Sequence, residues 1–168
     1  MIALCGMGGV GKTTMMEQLK KEVEASKCIN LEDIKEEAID ARADRLRKIF
    51  EGMSKQGKKT LVIMDDIWSE VDLQDVGLRP FPTGFKLLFT SRSEYVCTQM
   101  GVKTDSVFKL RVLDVAEAKA LFFGIVGISM SDHDEPELHK IGEDIVNKCG
   151  GLPIALNTIA KSLIGKKN

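Results

Sequence analysis

A chain of 168 residues, 43% apolar and 29% charged with a formal net charge of −1, has the composition of one soluble globular domain or slightly more. That balance offers no electrostatic footprint for nucleic acid. Cysteines as scattered as Cys5, Cys28, Cys97 and Cys149 exclude a zinc site or a disulfide framework. No run approaches the ~20 apolar residues of a membrane-spanning helix. The start has neither the basic segment nor the apolar core of a signal peptide. The expectation is a soluble, cytoplasmic protein with no transmembrane segment, kept in a reducing compartment.

Residues 1–5 form a short apolar run that ends at glycines, which predicts a buried strand feeding a turn. Over 12–26, Met15, Met16, Leu19 and Val23 recur at helical spacing. A second, more charged helix is expected over 31–50, then a polar loop over 51–59. Residues 60–64 ("TLVIM") are continuously apolar, as in a strand covered on both faces of a parallel sheet. After a loop at 78–84, "FKLLFTSR" (85–92) predicts another buried strand. Ser93 is placed to cap a short helix that ends at Gly101. Residues 107–113 alternate as a further strand. Beyond Asp114 the pattern is wholly helical, over 114–127, 134–149 and 152–165, with Gly150 and Gly151 between the last two.

The chemistry concentrates at "CGMGGVGKTT". Residues 6–13 match G-x-x-x-x-G-K-[ST] between a predicted strand and a predicted helix, the context that a phosphate-binding loop requires. Glycines let successive backbone N–H groups turn toward one anion, and the helix adds its positive end. Lys12 would reach the outer phosphates, and the Thr13 hydroxyl would ligate Mg²⁺. The plainer alternative is a glycine-rich turn capping an ordinary helix, and the strand–loop–helix context weighs against it. Asp65 and Asp66 follow the "TLVIM" strand, where ligands of open parallel sheets collect. Asp65 suits Mg²⁺, and Asp66 suits orienting or deprotonating an attacking water. Arg92 closes the next strand, where a guanidinium would sense a γ-phosphate; a surface ion pair is the alternative. His133 and His139 are too isolated to be ligands and are expected to be solvated. "NKCG" (147–150) has glycine where a guanine reader needs aspartate, so GTP is disfavoured. Neither a transporter "LSGGQ" nor an arginine-bearing kinase lid is present.

"GMGGVGKTT", "KTLVIMDDIW", "FKLLFTSR", "FKLRVLDVAEAKALF" and "CGGLPIALNTIA" occur in this order, and the chain resembles the NB-ARC domain of plant disease-resistance proteins with leucine-rich repeats. Trp68, closing the acidic motif, resembles the coiled-coil subclass. The resemblance implies phosphate contacts from Gly6, Gly8, Gly9, Gly11, Lys12, Thr13 and Thr14. It implies Mg²⁺ held by Thr13 and Asp65, a hydrolytic role for Asp66, γ-phosphate sensing by Arg92, and Pro153 packed near adenine and ribose. Pro153 equally suits the first turn of a helix.

The family's sheet resembles a five-stranded order with the glycine-loop strand central. Here the stretch before the acidic strand is shortened, and "KCIN" (27–30) is too short for a strand. An edge strand is therefore expected to be missing, which leaves 60–64 as an open edge. The chain resembles a fragment or the product of a truncated gene, lacking the family's coiled-coil, second helical and repeat regions.

The expectation is an α/β fold, a P-loop NTPase parallel sheet of about four strands over 1–113, followed by a small helical subdomain over 114–168. The implied function is a switch that holds ADP at rest and ATP with Mg²⁺ when active, with at most slow hydrolysis. Its partners would be coiled-coil and leucine-rich-repeat domains of a longer protein. The alternatives are an ATPase with steady turnover and a non-functional remnant.

Overall fold

The structure, a computed structural model, describes residues 1–22, 38–128 and 136–164. The expected strand-poor stretch at 27–30, the missing edge strand, the first part of the second helix and His133 fall outside these residues. The chain divides into two compact units: Met1–Cys5 with Thr13–Lys109, and Gly6–Lys12 with Leu110–Asn168.

Four parallel strands make the sheet of the first unit among the described residues: β1 (Ile2–Cys5), β2 (Thr60–Ile67), β3 (Phe85–Ser91) and β4 (Val107–Lys109). They lie side by side in the order β2-β3-β1-β4. From β1 the chain reaches the far edge at β2, returns through β3, then passes to the other side of β1 to make β4. Open parallel sheets take ligands outside their strands' carboxyl ends, where the order reverses in this way.

The central strands carry the core. Ala3, Leu87 and Phe89 are fully buried and pack with Val96, Cys97 and Met100 of α3 (Glu94–Gln99) and its end. β2 is half-buried over most of its length rather than covered on both faces. It is an edge strand among the described residues, so one flank lacks a neighbour. β4 stops at Lys109 rather than running to Leu113, because its ladder partner β1 ends opposite it, at Cys5.

After α1 (Lys12–Glu22), the helix α2 (Ile39–Lys55) continues through residues expected to form a polar loop. Ala43, Leu46, Phe50 and Met53 keep a helical stripe against the core past Phe50. That packing outweighs the unfavourable propensity of Gly52, and Gly57, at φ 68, ends the run. Ser93 stands at the start of α3, but its side chain makes no capping bond; its N–H donates to Ser91 Oγ at 3.2 Å. Within this unit burial foremost, then the neighbouring Cys5 thiol, pushes the Cys97 thiol up to about 11. A thiol so rarely ionised packs as a small apolar side chain.

The second unit is helical: α4 (Val115–Val126), α5 (Pro136–Lys148) and α6 (Pro153–Leu163). Asp114 and Glu117 close a reciprocal capping box at the start of α4, with bonds of 2.8 and 3.0 Å, and Gly127 ends the helix at φ 79. Phe122, Phe123, Val146, Leu156 and Ala160 form its core. Lys119 pairs with Glu143 at 2.6 Å, and that bond holds the Glu143 carboxyl below its usual range. His139, expected to be solvated, instead lies half-buried with its ring 5.4 Å from that of Phe123. It sits on the α5 face turned toward the aromatic core. Among the described residues no helix is long and apolar enough to cross a membrane.

Candidate functional site

Among the described residues the buried polar side chains are Lys12, Thr90 and Ser91. A fold buries such groups only where partners meet them, and all three lie in or beside the motifs picked out from sequence.

In the second unit the loop Gly6–Lys12 is shaped by its glycines. Gly9 and Gly11 have φ values of 78° and 102°, a region unfavourable to any residue with a Cβ. A Cβ on Gly6 would come within 2.6 Å of the Leu110 carbonyl oxygen, and one on Gly9 would collide with the Ile154 side chain. The loop is therefore backbone packed against backbone on one side and against α6 on another. The Lys12 ammonium folds over it, donating to the Gly6 and Met7 carbonyls at 2.7 and 3.0 Å. Pro153 occupies the first turn of α6, and the next amide, Ile154 N–H, donates to the Gly9 carbonyl at 3.2 Å. One of the helix's orphan donors is thus used to fix the loop. Gly8 lies in the turn with Gly9.

In the first unit Thr13 and Thr14 are exposed in the first turn of α1. The Thr13 hydroxyl donates to Asp65 Oδ2 at 2.9 Å, joining residues 52 positions apart. A threonine hydroxyl and a carboxylate so close form the hard oxygen pair that suits Mg²⁺, which binds through a few protein oxygens and keeps its remaining waters. Behind them β2 is irregular: its register against β3 shifts between Met64 and Ile67, and Asp66 takes φ 54. Bulges re-aim side chains and recur beside active sites.

The Thr90 hydroxyl ties the bulge down, accepting from Asp66 N–H at 2.8 Å and donating to Asp65 Oδ1 at 2.5 Å. Ser91 Oγ does the same one residue on, donating to the Ile67 carbonyl at 2.8 Å. The Asp66 carboxylate accepts from Arg92 Nε at 3.2 Å, Arg92 Nη2 at 3.3 Å and Trp68 Nε1 at 3.0 Å.

Thr90 and Ser91 were not singled out from sequence, although two hydroxyls ending an otherwise apolar run are a usable signal. Thr90→Val keeps the shape and strands the Asp66 N–H, so it should lower stability by about 1–3 kcal/mol in urea titration. Thr90→Ser should restore most of the loss. A valine variant as stable as the parent would mean that Thr90 does not hold the bulge. Cavities of about 480 Å³ beside Arg47 and Arg79 and about 470 Å³ beside Met1 and Phe81 hold none of these residues; the candidate chemistry lies on loops and strand ends.

The sequence matches the NB-ARC domain family over residues 26–132. It is 35% identical over 192 residues to the probable disease resistance protein At5g43730 of Arabidopsis thaliana, covering 99% of this chain and 22% of that protein. It is 34% identical over 195 residues to the probable disease resistance protein At5g43740 of the same plant, with the same coverage. The chain thus spans about a fifth of the length of these relatives. Its fold is similar to that of a Signal Transduction ATPase with Numerous Domains carrying a tetratricopeptide repeat sensor, from Pyrococcus horikoshii. The TM-score is 0.53 and the identity 18%, over 95% of this chain and 27% of that one. With the family model matching residues 26–132 and the plant relatives aligned over 99% of the chain, the chain belongs to the NB-ARC domain family, a nucleotide-binding module of plant disease-resistance proteins.

Proposed function

We propose that the chain is an adenine-nucleotide switch that holds ADP at rest and ATP when active. The observation that carries this reading is the Thr13–Asp65 contact, in which the last residue of the G-x-x-x-x-G-K-[ST] motif and the first acid of the "DD" pair form one oxygen-donor pair. Backbone amides around Gly6, Gly8, Gly9 and Gly11 receive the phosphates, with Lys12, Thr13 and Thr14 at their outer end. Thr13 and Asp65 hold Mg²⁺, Pro153 packs near adenine and ribose, Arg92 senses a γ-phosphate, and Asp66 serves slow hydrolysis. A switch needs only different affinities for two nucleotides, not rapid turnover.

The Asp66 carboxylate favours slow hydrolysis over steady turnover. Both its oxygens already accept from Arg92 and Trp68, so they are engaged rather than free to orient an attacking water. In a longer protein this unit would work beside coiled-coil and leucine-rich-repeat domains in the cytoplasm.

The test is the nucleotide content of the purified chain together with its turnover of Mg²⁺-ATP. Stoichiometric ADP retained through purification, with ATP converted about once per chain and the product held, supports the switch. Many turnovers with free ADP released would instead make the chain an ATPase. No nucleotide bound at millimolar Mg²⁺-ADP would leave it a remnant.

A further inference from the structure

Arg92 does not stand free in the first unit. Its guanidinium makes two N–H bonds to Asp66, at 3.2 and 3.3 Å, and its Cζ lies 4.3 Å from the centre of the Trp68 ring. The indole N–H meets the same carboxylate at 3.0 Å. Trp68 therefore holds Arg92 twice, directly through its ring face and indirectly by fixing the Asp66 carboxylate.

Asp66 is itself held where few residues settle, at φ 54, by the hydrogen bond its backbone N–H donates to the Thr90 hydroxyl. The Thr90 hydroxyl also bonds Asp65, whose other oxygen accepts from Thr13. An unbroken line of hydrogen bonds thus runs from the Mg²⁺-suited pair to the sole tryptophan of the chain. The Arg92 and Asp66 side chains are 47% and 43% exposed, so water already competes for this ion pair and the clamp is weak.

We propose that Trp68 is a positioning residue: with Asp66 it clamps Arg92 away from the nucleotide, and the terminal phosphate of a nucleoside triphosphate opens the clamp. This rests on the switch reading above and adds its regulation. A diphosphate has no group to offer Arg92, which then stays on Asp66 and Trp68. A triphosphate with Mg²⁺ presents a doubly charged oxygen cluster, a better match for the guanidinium fork than one hydrated carboxylate. Moving Arg92 frees the Asp66 carboxylate, so competence to orient water arises only when there is a γ-phosphate to attack. The clamp also lowers triphosphate affinity, because only the open fraction binds productively.

The experiment uses the purified chain with Mg²⁺-ADP and with Mg²⁺-ATPγS, each shown to bind by calorimetry, and reads Trp68 fluorescence and its quenching by acrylamide. Mg²⁺-ATPγS should uncover the indole face and raise quenching, whereas Mg²⁺-ADP should leave it as in the free chain. Trp68→Ala removes ring and N–H together and should tighten ATPγS relative to ADP by about three- to tenfold. Trp68→Phe keeps a ring for stacking and should lie between. A purely structural role for Trp68 would shift both nucleotides alike and leave their ratio unchanged, which overturns the clamp. Equal quenching with both bound nucleotides overturns it too, and nucleotide binding then still stands. A parent chain that binds neither nucleotide overturns the switch reading and the clamp together.

Discussion

Gly151→Ala should destabilise the chain by about 3–4 kcal/mol, while Gly150→Ala, one residue away, should cost only about 1–2 kcal/mol. Both glycines have positive φ, 57° at Gly150 and 71° at Gly151, so both alanines pay for a left-handed backbone. Their surroundings differ. A Cβ on Gly150 would meet nothing within 4 Å, whereas one on Gly151 would run into the Leu113 carbonyl oxygen, with the Leu113 carbon at 3.2 Å and nitrogen at 3.3 Å. These are backbone atoms, and the Leu113 N–H already donates to the Gly151 carbonyl at 2.9 Å. Neither strand of chain can yield without breaking that bond. The displaced segment runs straight into Pro153 and Ile154, so the Ile154 bond to Gly9 should loosen as well. Urea titration of the two variants checks the difference. Equal losses would mean that the crowding at Leu113 is relieved by a small shift and that conformation alone governs this pair.

What could be read from sequence at this turn was the break between two helices, because two glycines in a row interrupt any helical pattern. Which glycine carries the crowding could not be read, since Leu113 is brought there only by folding. The same division holds across the site. Lys12, Thr13, Asp65 and Arg92 are legible because motif spacing fixes their place at a strand end or helix start. Thr13 meeting Asp65 follows from a parallel sheet with β1 inside it.

The Thr90 hydroxyl and the φ of Asp66 are tertiary facts with no periodic signature. A bulge is one residue out of step, and "TLVIMDDIW" reads as a strand with or without it. The end of α2 is hidden in the sequence because Gly52 and the surrounding charges suggest a loop, while Met53 finds the core. The end of β4 depends on where β1 stops, a partner far away in sequence. The burial of His139 depends on Phe123, a partner on another helix that no local pattern reveals.

Lys12→Met should remove most of the stabilisation that Mg²⁺-ADP gives the parent chain. At 100 times its dissociation constant a ligand adds about 2.7 kcal/mol to the folded state, about 5–10 °C in melting temperature for a chain of this size. A hundredfold loss of affinity leaves about 0.4 kcal/mol at the same concentration. Lys12 merits that expectation because its ammonium is 7% exposed and held by the Gly6 and Met7 carbonyls. It is a cation kept at the loop where, without it, two carbonyl oxygens would face an incoming anion. Methionine keeps the length and the apolar stem and removes only the charge and its donors. The variant loses those two bonds in the ligand-free state too, so its melting temperature should fall somewhat even without nucleotide. The difference between shifts with and without Mg²⁺-ADP is therefore the quantity that speaks to binding. A variant with the parent's full shift would place the phosphates away from Lys12 and reduce the glycine loop to a helix cap. A shift confined to the parent assigns the buried cation to the nucleotide.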